Sequence, residues 1–357
     1  MIPIADPKIG GNERDRIEGV LDSGMLADGP EVREFEAEFA EYCGTDHGVA
    51  TSNGTTALHA ALAALEIGAG DRVLTTPFSF VATANAIRHV GAKPVFADVD
   101  PATYNLDPDA ARAVARAEDV DAILAVHLYG LPAEMDALGE LAAELDVPLI
   151  EDAAQAHGAE FGGERVGSIG DAGCFSFYPT KNMTTGEGGI LTTDRDDVAR
   201  RARQFINHGR TETYEHATVG HNFRMTSIAA AIGRAQLERL PTFIERRREN
   251  AARLSAAIET DDVVLPVEPD GTKHVYHQYT VRSTDRDGLA ESLESNGVGT
   301  GVYYPTCIHE QPAYEGVSAS APIAEAASRE VVSLPVHPAV SADETDRIAE
   351  VIDDYGA

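Results

Sequence analysis

Apolar residues in the first part of the chain recur at three- and four-residue intervals. Val32, Phe35, Phe39 and Tyr42 stand among glutamates and predict an amphipathic helix with one buried stripe. A shorter helix is expected over Glu13–Leu21, followed by a turn at Asp28-Gly29-Pro30. From Gly48 onward the pattern changes, and short continuous apolar runs alternate with helical stretches, as in a mainly parallel sheet wrapped by helices. The expected strands are Val49–Thr51, Arg72–Thr75, Lys93–Asp100, Ala122–Tyr129 and Val147–Asp152, with an alanine-rich helix over Thr55–Leu65 and another from near Val81. An arginine-rich helix is read over Asp196–His208, and a small-residue helix from Ser227 to Leu240 that stops at Pro241. A long helix, Phe243–Ile258, then leads into a smaller α+β unit. That unit has strands at Tyr276–Val281 and Val298–Tyr303, helices at Leu289–Glu294 and Ile323–Val331, and a capping box of Ser341 with Glu344 before the last helix. The expected division is a large unit over 1–240 and a small one over 241–357.

Charge narrows the functional classes. The 357-residue chain carries 59 acidic and 28 basic residues, a formal charge of -31 with pI near 4.6, which argues against nucleic acid as a partner because phosphates require a basic face. Lysine occurs only at positions 8, 93, 181 and 273. A lysine-poor, carboxylate-rich surface suits concentrated salt, where screening relieves self-repulsion, so a halophilic source is expected. No apolar run has the length of a bilayer span, and the N-terminus lacks a basic-then-apolar leader pattern, so a cytoplasmic protein with no membrane partner is expected. Cys43, Cys174 and Cys307 have no paired spacing, which indicates neither a disulfide framework nor a metal site.

The chemistry centres on Ser176–Gly189, SFYPTKNMTTGEGG. Lys181 follows an aromatic run and precedes a glycine-rich turn that re-enters an apolar strand. An ammonium near apolar surface loses hydration, and its free amine becomes available to a carbonyl. Upstream, Ser52-Asn53-Gly54-Thr55-Thr56 sets a glycine and two hydroxyls at a strand-to-helix join. Such a join is an anion site, or else a plain N-cap by Thr55. Phe80 follows a strand and either stacks on a ligand ring or fills core. His127 reads as a buried histidine satisfied by a backbone partner. Asp152 closes an apolar strand, where it either caps the next segment or pairs with a protonated ligand nitrogen. Together these supply a phosphate cradle, a ring platform, an anion and an amine, the set that pyridoxal phosphate requires. No G-x-G-x-x-G or Walker sequence speaks for a dinucleotide or nucleoside triphosphate.

These residues also resemble the DegT/DnrJ/StrS sugar aminotransferases, through SNGTTALHAAL, PFSFVATANAI, IEDAAQAHGA, FSFYPTKNMTTGEGG and HNFRMTSIAAAIGRAQLERL. The resemblance implies fold type I, with a mainly parallel seven-stranded sheet in the large domain and a smaller α+β C-terminal domain. It implies Lys181 as the Schiff-base lysine, Asp152 as partner of the pyridine nitrogen, Phe80 as the stacking ring and Gln155 at the 3-hydroxyl side. Gly54, Thr55, Thr56 and Ser176 would form the phosphate cradle, and Asn222 would reach the phosphate of the neighbouring subunit of a homodimer with shared sites. Arg224 and His309 are candidate substrate contacts or members of a salt link and loop packing. The implied reaction moves an amino group from L-glutamate to a nucleotide-linked keto-sugar, for amino-sugar or polysaccharide synthesis. Alternatives are a keto-cyclitol acceptor such as scyllo-inosose, or a non-catalytic sensor on the same fold. The sugar 3-dehydratase branch, which has histidine in place of the lysine, is opposed by Lys181. His221 departs from the tyrosine usual in the family, and Tyr304–His309 is looser than its usual form.

Overall fold

The computed structural model describes residues 1–317 and 319–356. Helices α1 (Gly11–Ser23) and α2 (Pro30–Cys43) come first, and α2 buries Val32, Phe35 and Phe39 as its spacing predicts. Pro30 is its first residue, where a missing N–H costs nothing. The chain then alternates β1 (His47–Thr51), α3 (Gly54–Ala64), β2 (Arg72–Thr75), α4 (Ala82–His89), β3 (Lys93–Phe96), α5 (Pro108–Ala117), β4 (Ala122–Val126), α6 (Met135–Leu145) and β5 (Leu149–Asp152). A short hairpin, β6 (Glu160–Phe161) and β7 (Glu164–Arg165), precedes β8 (Ala172–Ser176), β9 (Gly189–Thr193) and α7 (Asp196–Phe205). The main sheet has seven strands in the order β1-β9-β8-β5-β4-β2-β3. Only β9 runs against its neighbours. Every residue of β4 is buried, the mark of a strand covered on both faces.

Helix α8 (Ser227–Ala257) corrects two expectations at once. It is one helix of 31 residues that runs through Pro241, where two helices were predicted. Pro241 denies the Leu237 carbonyl its partner, but buried residues on both sides of the proline, Leu237 and Leu240 before it and Ile244 and Arg247 after it, hold the helix continuous. Beyond it lie β10 (Thr272–Lys273), β11 (Tyr279–Arg282), α9 (Arg286–Ser295), α10 (Pro322–Glu330), β12 (Val331–Leu334) and α11 (Ala342–Gly356). β11 pairs with β12, and the stretch Val298–Tyr303, expected as a strand, makes only single bridges to Ile2 and Ser333. Glycines at 299 and 301 give that stretch little to pack, whereas all four residues of β12 are buried. The Ser341/Glu344 capping box is present at the start of α11.

Residues of the C-terminal part, including Val281, Leu293 and Ile348, form a core of their own with Leu254 of α8 and with Ile2. Cys307 and Ala321–Val331 instead join the core of the main sheet. All three cysteines are free and buried. No described helix is long and apolar enough to cross a membrane.

Candidate active site

A cavity of about 840 Å³ opens at the carboxyl ends of β2, β4, β5 and β8, the edge where open α/β sheets bind ligands. Its wall includes Gly54, Thr55, Thr56, Phe80, Asp152, Gln155, Ser176 and Lys181, so the sequence candidates on four separate stretches meet in one space.

The end of β1 and the start of α3 form one side. Asn53, rather than Thr55, is the N-cap, and Gly54 is the first residue of the helix. Asn53 Oδ1 accepts the Thr56 N–H at 2.9 Å, and its own N–H donates to Thr56 Oγ1 at 3.1 Å, which commits the Thr56 hydroxyl to the cap. The N–H groups of Gly54 and Thr55 have no protein acceptor among the described residues, and they lie at the positive end of the helix dipole. A Cβ on Gly54 would stand 2.7 Å from Ser176 Cβ, and one on Gly189 2.4 Å from the Asn53 carbonyl. Glycine is thus required for the helix start to approach the Ser176 strand so closely.

Asp152 forms the floor. Its Oδ2 accepts from the Thr83 hydroxyl at 2.8 Å and its Oδ1 from the Ala154 N–H at 3.2 Å, while Ser79 Oγ lies 2.8 Å from Thr83 Oγ1. Because Thr83 donates to the carboxylate, Ser79 is the donor to Thr83. Burial pushes the Asp152 pKa up, and the Thr83 and Ala154 hydrogen bonds and the Lys181 charge oppose the rise. The carboxylate therefore both bonds its following segment and faces the cavity, so the two readings of Asp152 are compatible. His127 donates from Nε2 to the buried Glu151, 3.0 Å away, and accepts the Ala133 N–H at Nδ1. It finds the backbone partner expected of it and a carboxylate besides.

Lys181 follows β8 on the loop into β9, half-buried, with no carboxylate within ion-pair distance among the described residues. Loss of hydration lowers its pKa to about 8, with Asp152 pulling the other way. Near neutral pH a useful share of the amine is free. His277, hydrogen-bonded to Asn182 at 3.3 Å, is kept neutral by burial and by the Lys181 charge.

Phe80 is 55% exposed and presents its ring to the cavity, tilted against Tyr304 at 5.9 Å. It belongs to a loop rather than to the core. Gln155 Oε1 accepts the Tyr129 N–H at 2.7 Å, and its Nε2 donates to Tyr304 OH at 3.2 Å. The remaining candidates lie elsewhere. Asn222 is exposed, outside the wall of its own cavity. Arg224 donates to Asn207 Oδ1 at 2.6 Å, and His309 lies 3.3 Å from Glu325 with its ring beside Phe96. Neither lines the cavity. Ser79, Thr83, His277, Tyr303 and Tyr304 do line it and were not anticipated. The four-residue spacing of Ser79 and Thr83 around Phe80 was a usable signal for that pair, whereas the others arrive by tertiary folding alone.

By its own chemistry the wall fits pyridoxal phosphate. It offers free N–H groups and hydroxyls for a dianion, an ionisable acid for a ring nitrogen, an aromatic face and one desolvated amine, in a volume typical of cofactor sites.

Residues 7–353 match the model of the DegT/DnrJ/EryC1/StrS aminotransferase family. Among curated proteins, the chain is 40% identical over 346 residues to a "Pleiotropic regulatory protein" of Geobacillus stearothermophilus, covering 95% of this chain and 93% of that one. It is 40% identical over 335 residues to the UDP-N-acetyl-3-dehydro-alpha-D-glucosamine 3-aminotransferase of Acidithiobacillus ferrooxidans, covering 93% and 90%. Among solved structures, S. venezuelae DesV in complex with a ketimine intermediate superposes with a TM-score of 0.94 at 38% identity, over 96% of this chain and 94% of that one.

Proposed function

The chain belongs to the DegT/DnrJ/EryC1/StrS aminotransferase family, and from that premise we propose that it transfers an amino group from L-glutamate to the keto group of a nucleotide-linked sugar, in amino-sugar or surface-polysaccharide synthesis. The observation that carries this reading is the meeting of Lys181 and Asp152 in one cavity with the free N-terminus of α3. Family members are pyridoxal phosphate enzymes, and relatives of this chain are named for UDP- and dTDP-linked substrates.

Bound in the cavity, pyridoxal phosphate supplies an electron-accepting ring and an aldehyde carbon that exchanges amino groups. In our reading the Gly54 and Thr55 N–H groups and the Thr55 and Ser176 hydroxyls hold its phosphate, and Thr56 acts through the cap it shares with Asn53. Asp152 holds a proton on the ring nitrogen, with Thr83 and Ala154 fixing both its oxygens. Phe80 covers one ring face, and Gln155 orients the 3-oxygen side. The Lys181 amine would hold the aldehyde end of the cofactor and, when free, would carry a proton between the donor's α-carbon and the aldehyde carbon. The exposed position of Asn222 supports a homodimer in which it completes the partner's site. Arg224 and His309 would meet substrate only by rearrangement or across that interface. The charge pattern supports a halophilic source, and we place the protein in the cytoplasm.

The keto-cyclitol acceptor is not favoured, because the relatives are named for nucleotide sugars. The non-catalytic reading is opposed by the retention of Lys181 and Asp152 together in the cavity, whatever the name of the Geobacillus relative. The test is transfer of 15N from labelled glutamate to UDP-, dTDP- and GDP-linked keto-sugars and to scyllo-inosose. Label in an aminated nucleotide sugar with ping-pong kinetics is expected, and label only in the cyclitol, or in neither, overturns the proposal.

A further inference from the structure

Gln155 is clamped between two partners, and its bonds have a direction. Its Oε1 accepts the Tyr129 backbone N–H at 2.7 Å, and a backbone amide can only donate, so the Gln155 amide cannot be flipped. The donor end, Nε2, must then face the Tyr304 oxygen 3.2 Å away. The Tyr304 oxygen accepts that bond, and its own proton points elsewhere. Among the described residues nothing accepts it. Tyr304 lines the cavity with Gln155, Asp152 and Lys181. Its loop is tied down a second time by the Tyr129 hydroxyl, which donates to the Tyr303 carbonyl. Burial, and next the Asp152 charge, raise the Tyr304 pKa, so the phenol keeps its proton. Once a bound molecule displaces water from the cavity, a hydroxyl proton is costly to leave unbonded.

We propose that Tyr304 is an oriented hydrogen-bond donor to an acceptor oxygen of the molecules held in the cavity, either the ring oxygen of the cofactor or a carbonyl or hydroxyl oxygen of the keto-sugar. This rests on the aminotransferase reading above, which gives the cavity its occupants. Gln155 sets the direction of the donor, and its own contact is with Tyr304.

Two variants separate this role from simple packing against Phe80. Tyr304→Phe keeps the ring and removes the donor. Gln155→Glu has no donor to offer, so its second oxygen accepts the Tyr304 proton and withdraws it from the cavity. Each variant and the double variant are reconstituted with pyridoxal phosphate. The readouts are the pH midpoint of the bound cofactor's absorbance, its dissociation constant, and the single-turnover rates with glutamate and with the keto-sugar.

If the acceptor is the cofactor oxygen, each single variant shifts the midpoint by roughly 0.5 to 1 pH unit, the scale of one hydrogen bond. The double variant then shifts it no further than the larger single. If the acceptor is on the sugar, the midpoint of Tyr304→Phe stays, its keto-sugar half-reaction slows about 10-fold, and the glutamate half-reaction is unchanged, again without further loss in the double variant. Tyr304→Phe with no change in any readout, or effects that add in the double variant, overturns the proposal. Failure of the unaltered protein to take up cofactor refutes the aminotransferase reading instead, a separate result.

Discussion

Lys181 and Asp152 draw their properties from opposing forces that can be measured one at a time. Removing hydration from the lysine lowers its pKa from 10.5 to about 8. In the apoprotein the poorly hydrated ammonium therefore costs stability at every pH below about 8, the cost fades as pH rises toward 10.5, and above that it is gone. Lys181→Met apoprotein should unfold at higher denaturant than the unaltered apoprotein at pH 7, by roughly 1 to 3 kcal/mol, and the two should converge as pH approaches 10. Its transaminase activity should fall by about 10³-fold or more. Asp152→Asn removes the anion and turns an amide N–H against the Thr83 or Ala154 donor. A loss of about 1 to 2 kcal/mol in stability is expected, with weaker cofactor binding in fluorescence titration.

The start of α3 is a capped helix whose first two N–H groups stay free for a ligand. Asn53→Ala should cost about 1 kcal/mol in denaturant unfolding and weaken cofactor affinity as well, because the cap fixes the direction of those donors. The strands and the α2 stripe were legible in the chain because apolar runs and three-and-four spacing report burial directly. The cap was misplaced at Thr55 because Asn, Thr and Ser compete for such positions, and only geometry shows which side chain bends back. The proline at 241 was read as a stop because its local cost is visible in sequence, while the packing along α8 that offsets it is not. We propose that the large and small units meet within this helix near Pro241. Lys181, Asp152, Phe80 and the α3 join were legible as motifs. Tyr304 and His277 were not, since they reach the cavity from more than ninety positions beyond Lys181.

A charge of -31 on 357 residues repels itself at low ionic strength. Unfolding temperature should rise steeply between dilute buffer and molar potassium chloride, where the screening length falls to about 3 Å, and a flat profile would contradict a halophilic origin. Shared sites can be tested by mixing subunits. Lys181→Met and Asn222→Ala variants, each impaired alone, should regain on refolding together about a quarter of full activity, since half the dimers are mixed and each holds one intact site. No recovery would contradict a site built from two subunits.

The most direct test of the whole account is reduction of the cofactor-loaded protein with borohydride, followed by peptide mapping. A pyridoxyl group on Lys181, with loss of the yellow colour, is the predicted result. A stable adduct at Lys8, Lys93 or Lys273 and none at Lys181, or a protein that never takes up the cofactor, would contradict it.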